Sequence, residues 1–283
     1  MNSGLFKAVI IAVNYRGADS TIKFLESVSR LEQFEAVKIS IVDNASGDGS
    51  AEKIRRKISG MVNVELLESP VNRGYFGGAN QALQHYIDSG NRPDWVIVCN
   101  NDILFHDPQF LTRLMERDPA EAGVLAPAII ARLTGIDANP FVHRRPTRWR
   151  VLRYRFWLSN YYLTWFQQWL APYVRVLRHH LYFWRPKPKV GVCTSIYAPH
   201  GSFIIFSRAF FEAGGFIDDG SFLYAEEFRV AEICLRLGVP VLHDPGLKVW
   251  HDDHQTTGRN LSRSIYAHQK EGLQYALRKY MAE

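Results

Sequence analysis

The 283 residues are 47% hydrophobic and 22% charged, which suits one large α/β domain or two small ones and excludes disorder as the main state. Cys99, Cys193 and Cys234 stand far apart with no CxxC pair, which argues against a disulfide scaffold or structural zinc and for a reducing compartment. The formal charge of +6 is uneven: residues 138–211 hold 12 Arg and Lys and no Asp or Glu, while the rest carries 22 basic against 28 acidic residues.

Residues 7–13 read as a buried strand; the apolar run from Ala8 to Val13 is too short for a signal peptide. Residues 20–31 read as a helix with Ile22, Leu25, Val28 and Leu31 on one face. A second strand, 37–42, runs into a turn-rich stretch from Asp43 to Gly49, and Ser50 caps a helix to about residue 58. Residues 62–67 give a third strand, 77–87 a helix and 95–99 a fourth strand. Such alternation predicts a mainly parallel sheet with helices on both faces, and ligands at the carboxyl ends of its strands. After Pro127 the pattern breaks. It resumes with a strand at 200–206, a helix at 226–237, short strands at 239–243 and 248–251, and a helical tail from Ser262. No run of about 20 strongly apolar residues predicts a membrane-spanning helix.

Four successive strand ends deliver Asn or Asp: Asn14-Tyr15, Asp43-Asn44, the segment Asn72 to Asn80, and Asn100-Asn101-Asp102. One such loop is an ordinary turn; four on one sheet edge point to a polar ligand. Neither a dinucleotide fingerprint nor a Walker motif occurs. The glycines of segment 72–80 follow a strand and open a helix. They can bring backbone close to a ligand and aim N–H groups at phosphate, or serve as a simple strand-to-helix turn. Asp102 is a candidate for Mg²⁺ or Mn²⁺, provided a diphosphate supplies further oxygens. Glu226 and Glu227 are adjacent at a helix start and point about 100° apart, so one of them faces a given site. His251 becomes a metal ligand only if it lies beside Asp102.

Together these residues form a pattern. The chain resembles the inverting family 2 glycosyltransferases of GT-A fold, particularly bacterial rhamnosyltransferase-like members. The matching segments are Val9-Ile-Ile-Ala-Val-Asn-Tyr15, Ile41-Val-Asp-Asn-Ala-Ser-Gly-Asp-Gly-Ser50, Asn72-Arg-Gly-Tyr-Phe-Gly-Gly-Ala-Asn80 and Asn100-Asn-Asp102. They continue with His200-Gly-Ser-Phe-Ile-Ile-Phe206, Gly214-Gly-Phe-Ile-Asp218, Phe222-Leu-Tyr-Ala-Glu-Glu227, Trp250-His251 and Thr256-Thr-Gly258. The resemblance implies a GT-A catalytic domain over 1–258, with a donor-binding half to about 130 and an acceptor half over about 190–258. A basic aromatic helical insertion then occupies about 138–190, and a C-terminal helix 259–283. It also implies transfer of a rhamnose-like or other hexose from a dTDP-, UDP- or GDP-linked donor to a glycan or lipid-linked acceptor of cell-surface polysaccharide synthesis.

By the same resemblance, Asp43 recognises the donor's nucleobase with Tyr15 nearby. Asn72, Gly74 and Asn80 wrap the nucleotide sugar, and Asn101 is a further donor-binding residue. Asp102 matches the last Asp of the DXD motif and holds a divalent cation with His251. Glu227 matches the general base. Two departures stand out: Asn100 occupies the first DXD position, and Glu227 stands where Asp is commoner, which keeps Glu226 open as the base.

The basic block carries a pattern of its own. Trp157, Tyr161, Trp165, Trp169 and Tyr173 recur every four residues, with Ser159, Asn160, Thr164, Gln167 and Gln168 opposite. That predicts one amphipathic helix with a wide aromatic face between basic flanks. The face can lie on an anionic membrane surface, making a cytoplasmic protein peripheral to the membrane, or pack on the core or on a second subunit as a homodimer. A nucleic-acid-binding protein is the rival reading of the block, opposed by the acidic remainder and by the absence of an RNA or DNA module.

Overall fold

Alternation of inward and outward residues in the first strand already divides the molecule into layers. In β1 (Ala8–Asn14), Ala8, Ile10 and Ala12 face one layer and Val9, Ile11 and Val13 the other, and all are buried. The computed structural model describes residues 6–90, 92–170, 192–252 and 261–281. Within them β1 is followed by α1 (Ala18–Val28), β2 (Val37–Asp43), α2 (Ser50–Ile58), β3 (Val64–Glu68), α3 (Gly74–Asp88) and β4 (Trp95–Asn100). These give a parallel array in the order β3-β2-β1-β4. Phe24, Leu25 and Val28 of α1, with Ile54 of α2, cover one face. Phe76, Leu83 and Tyr86 of α3 cover the other.

The register sets up the functional edge. Asn14 lies opposite Asp43 across β1 and β2, and Val13 opposite Asn100 across β1 and β4, so three polar strand ends stand in line. The chain continues through β5 (Ile103–Leu104), α4 (Phe110–Met115), β6 (Val124–Ala131), α5 (Arg148–Trp157) and a helix α6 over residues 161–170. It then forms β7 (Thr194–Ile196), β8 (Phe203–Ser207), α7 (Arg208–Glu212), α8 (Glu226–Leu237), β9 (Val241–His251) and α9 (Arg263–Tyr280).

The sheet keeps the mainly parallel core that was expected and adds shorter antiparallel pairings to it. Strand β8 runs antiparallel to both β4 and β6, so parallel order holds only from β3 to β4 and between β6 and β9. Two short strands expected near residues 239–251 are one strand, β9, with a register shift opposite Pro127. That shift explains why β6 escapes a sequence reading. Proline cannot donate to a ladder and is confined to irregular positions, and here the irregularity lies between Pro127 and Ala128.

The single aromatic helix expected from Trp157 onward is two helices. Helix α5 ends at Trp157, and Asn160 caps the next, its Oδ1 accepting from the Tyr162 N–H at 2.8 Å. Thr164, expected on the polar outer face, is buried and donates to the carbonyls of Trp157 at 2.8 Å and Asn160 at 3.1 Å. Tyr161 turns onto α9, donating to the Leu261 carbonyl and packing on the Tyr266 ring. Tyr173, the basic residues from Arg175 to Lys189, and Thr256 to Gly258 lie outside the described residues. Among the described residues no helix is long and apolar enough to cross a membrane.

Candidate active site

The strand ends are tied by one buried asparagine. Asn14 Nδ2 donates to Asp43 Oδ1 at 2.6 Å and to Ser46 Oγ at 3.3 Å. Its Oδ1 accepts from Gly17 N–H, the Thr21 hydroxyl and Asn101 Nδ2. Asn101 donates also to the Gly17 carbonyl, so its amide is directed into this network, which joins β1, β2 and β4. Within this network the Asn14, Asp43, Ser46, Thr21 and Asn101 side chains all gain partners, which ties the three strand ends together. Asp43 accepts from Ser46 as well, and it borders a cleft of about 390 Å³ floored by Ala45, Gly47 and Ser69. Tyr15 is half-buried at the same edge under the Arg16 guanidinium.

Segment 72–80 is clamped from below by Asn44, whose side chain donates to the Gly74 carbonyl and accepts from Arg73 N–H. Asn72 Oδ1 accepts from Gly74 N–H at 3.0 Å, and Asn80 reaches Asp219 Oδ2 at 3.3 Å. Gly74 has φ of +74°, and a Cβ there would lie 1.9 Å from the Phe222 carbonyl oxygen. Gly74→Ala should therefore destabilise the protein by at least about 1–3 kcal/mol, read by urea unfolding. Unchanged stability would show that the contact with Phe222 is not needed.

At the end of β4, Asp102 Oδ1 lies 3.0 Å from His251 Nε2, and both residues are buried. The condition set for His251 as a ligand is met. Cis ligands about 2.1 Å from an octahedral ion lie about 3.0 Å apart, so the pair fits one edge of a Mg²⁺ or Mn²⁺ shell. Among the described residues no group of three His, Cys, Asp or Glu could hold a metal ion.

The two glutamates part company. Glu226 is buried, with Oε1 3.3 Å from an Arg229 nitrogen. Glu227 is half-buried and accepts from Gly201 N–H at 3.2 Å. Burial, then the neighbouring Glu227 carboxylate, pushes the Glu226 carboxyl up, with Arg229 opposing; burial also raises that of Glu227. A Cβ on Gly201 would lie 2.7 Å from Glu227 Oε1, so this approach requires glycine.

His200 joins the two halves. Its ring is 6.2 Å from that of His251, and the Tyr75 hydroxyl donates to the adjoining Gly201 carbonyl at 3.0 Å. Asp102 and Glu227 both lie close enough to Tyr75 to influence its phenol, which burial holds well above its ordinary range. Tyr75, Asn44, Gly201 and Arg229 had no assigned role in the sequence reading. Tyr75 and Gly201 sit inside recognised segments and could have been found there; a lone Arg229 in a helix carries no such signal.

Comparison with known proteins places the chain in a family. Residues 8–213 match the profile of Glycosyl transferase family 2. The chain is 28% identical over 276 residues to an N-acetylglucosaminyl-diphospho-decaprenol L-rhamnosyltransferase of Mycobacterium tuberculosis, covering 92% of this chain and 81% of that one. It is 24% identical over 227 residues to a low-salt glycan biosynthesis hexosyltransferase of Haloferax volcanii, covering 80% and 60%. In fold it is similar to GalNAc-T7, solved with UDP, GalNAc and Mn²⁺, at a TM-score of 0.61 and 13% identity, covering 98% of this chain but about half, 48%, of that one. It is also similar to a Pyrobaculum calidifontis mannosyltransferase solved with GDP-Man and Mn²⁺, at a TM-score of 0.55 and 15% identity, covering 98% and 73%. With a GT-A architecture and this family match, the chain belongs to glycosyl transferase family 2 and is a glycosyltransferase.

Proposed function

We propose that the enzyme moves a rhamnose-like or other hexosyl group from a nucleoside-diphosphate sugar to a lipid-linked glycan acceptor of cell-surface polysaccharide synthesis, by one direct displacement. The observation that carries this reading is the meeting of the Asp102–His251 pair with the Gly201–Glu227 contact through His200. The rhamnosyl group and the lipid-linked acceptor are drawn from the mycobacterial relative, whose name states both.

Asp102 and His251 would hold a divalent cation, which when bound neutralises charge on the departing nucleoside diphosphate. Glu227 takes the proton of the acceptor hydroxyl while its oxygen bonds to the anomeric carbon and the bond from that carbon to the diphosphate oxygen breaks. Gly201 N–H orients the receiving carboxylate, and Tyr75 holds Gly201 in place. The cleft beside Asp43 takes the nucleobase, and segment 72–80 closes on the nucleotide sugar. Holding both reactants in line supplies much of the acceleration. A lipid-linked acceptor would place the work at the cytoplasmic face of a membrane, with the protein peripheral to it.

A panel of dTDP-rhamnose, UDP-sugars and GDP-sugars, scored for hydrolysis with Mn²⁺ or Mg²⁺, tests the reading. One donor class should turn over only with metal, and Asp102→Ala should abolish that turnover. Full activity in EDTA would overturn the cation assignment, and inertness toward every donor would overturn the transfer reading.

A further inference from the structure

The break between α5 and α6 leaves two short helices, each with an exposed apolar stripe. On α5 these residues are Trp149, Leu152 and Phe156, at spacing i, i+3, i+7; Trp149 is 82% exposed. On α6 they are Tyr162, Trp165, Phe166 and Trp169, at spacing i, i+3, i+4, i+7. Such spacing places each set on one helical face. Around the first stripe stand Arg148, Arg150, Arg153 and Arg155, all exposed.

We propose that these two helices form a membrane-docking surface that inserts Trp149, Phe156, Trp165 and Trp169 into the interface of an anionic bilayer. This rests on the reading of a lipid-linked acceptor given above. Charge chooses the occupant. A face with four arginines, in a stretch from 138 to 211 without one carboxylate, is not complementary to itself, which disfavours a second copy of the chain. Aromatic and leucine side chains flanked by arginine suit the headgroup boundary, where basic residues add attraction to anionic lipid. The position also suits the acceptor. Phe141 packs on both His200 and Phe228, and Tyr154 of α5 packs on Phe228, so the surface is rooted beside Glu227.

The test is flotation of the full chain with vesicles of phosphatidylglycerol and phosphatidylcholine, against phosphatidylcholine alone, at low salt. Flotation with the anionic vesicles is expected, together with about tenfold or greater weakening in Arg148→Ser/Arg153→Ser and loss in Trp165→Ser/Trp169→Ser. The variants should keep the wild-type thermal midpoint and solution-phase donor hydrolysis, which separates lost docking from lost folding. No flotation of active wild type, flotation unchanged in the tryptophan variant, or a dimer that this variant dissolves without any vesicle binding would overturn the surface. Tight binding to an oligonucleotide with no flotation would overturn it as well. Flotation without donor hydrolysis would count against the transferase reading and leave the surface standing.

Discussion

Glu227→Gln should lower kcat by about 10²-fold or more while leaving donor affinity within a few-fold of wild type. Glutamine keeps the shape and can still accept from Gly201 N–H, but it cannot take a proton from the acceptor hydroxyl. Because burial raises the Glu227 carboxyl, the acid limb of the wild-type rate should lie above the ordinary carboxylate range. The sign follows from the base being needed deprotonated: the rate falls as pH drops through that raised value, and the limb should vanish in Glu227→Gln. Glu226→Gln separates the pair. Glu226 points to buried Arg229, so its replacement should leave kcat far less affected; the opposite ranking would assign the base to Glu226. Gly201→Ala offers an indirect version, since its added methyl would push Glu227 aside and lower kcat with the carboxylate still present.

Arg229→Met should destabilise the fold by about 3–5 kcal/mol at neutral pH, among the larger effects available to one substitution. The guanidinium is fully buried, lies 5.3 Å from the Phe76 ring centre and 5.9 Å from that of Tyr275, and pairs with Glu226. Methionine restores volume but not charge, so the buried Glu226 carboxylate would be left without its cation. The loss should shrink as pH falls, because protonation of the raised Glu226 carboxyl removes the uncompensated charge. Chemical unfolding at about pH 5 and pH 8 reads both points. Equal losses at the two pH values would mean that Arg229 acts through packing alone.

The first four strands and their polar ends were legible because they obey simple rules: short apolar runs, glycine or asparagine punctuation, and a helix between parallel neighbours. Asn14, Asp43 and Asn100 follow directly, since register alone aligns strand ends. Strand β6 was hidden by Pro127, whose irregular pairing with β9 depends on a partner more than 100 residues away. The aromatic helix was read as continuous because its period is continuous; the chain breaks after Trp157 and Asn160 starts a new helix by capping it, a local competition that periodicity does not register. Arg229 was illegible for a tertiary reason. The apolar stripe of α8 suggests one buried face, yet residues from Glu226 to Cys234 are buried almost without interruption under neighbouring elements. Glu232, on that helix, is held by Arg145 and the Tyr197 hydroxyl, partners no helical pattern reveals. Asn101 shows the converse. The motif gives it a place in the donor site, and the structure turns its amide inward to Asn14 and Thr21.

If strand-end residues bind a nucleoside diphosphate through a cation that protein and substrate share, nucleotide affinity should depend on the metal and on Asp102. Calorimetric titration of UDP, dTDP and GDP into wild type and Asp102→Ala, each with and without Mn²⁺, tests it most directly. One nucleotide should bind wild type with an affinity that depends on Mn²⁺, and Asp102→Ala should lose that dependence. Binding to wild type that is indifferent to Mn²⁺, or absent for all three nucleotides, would contradict the account.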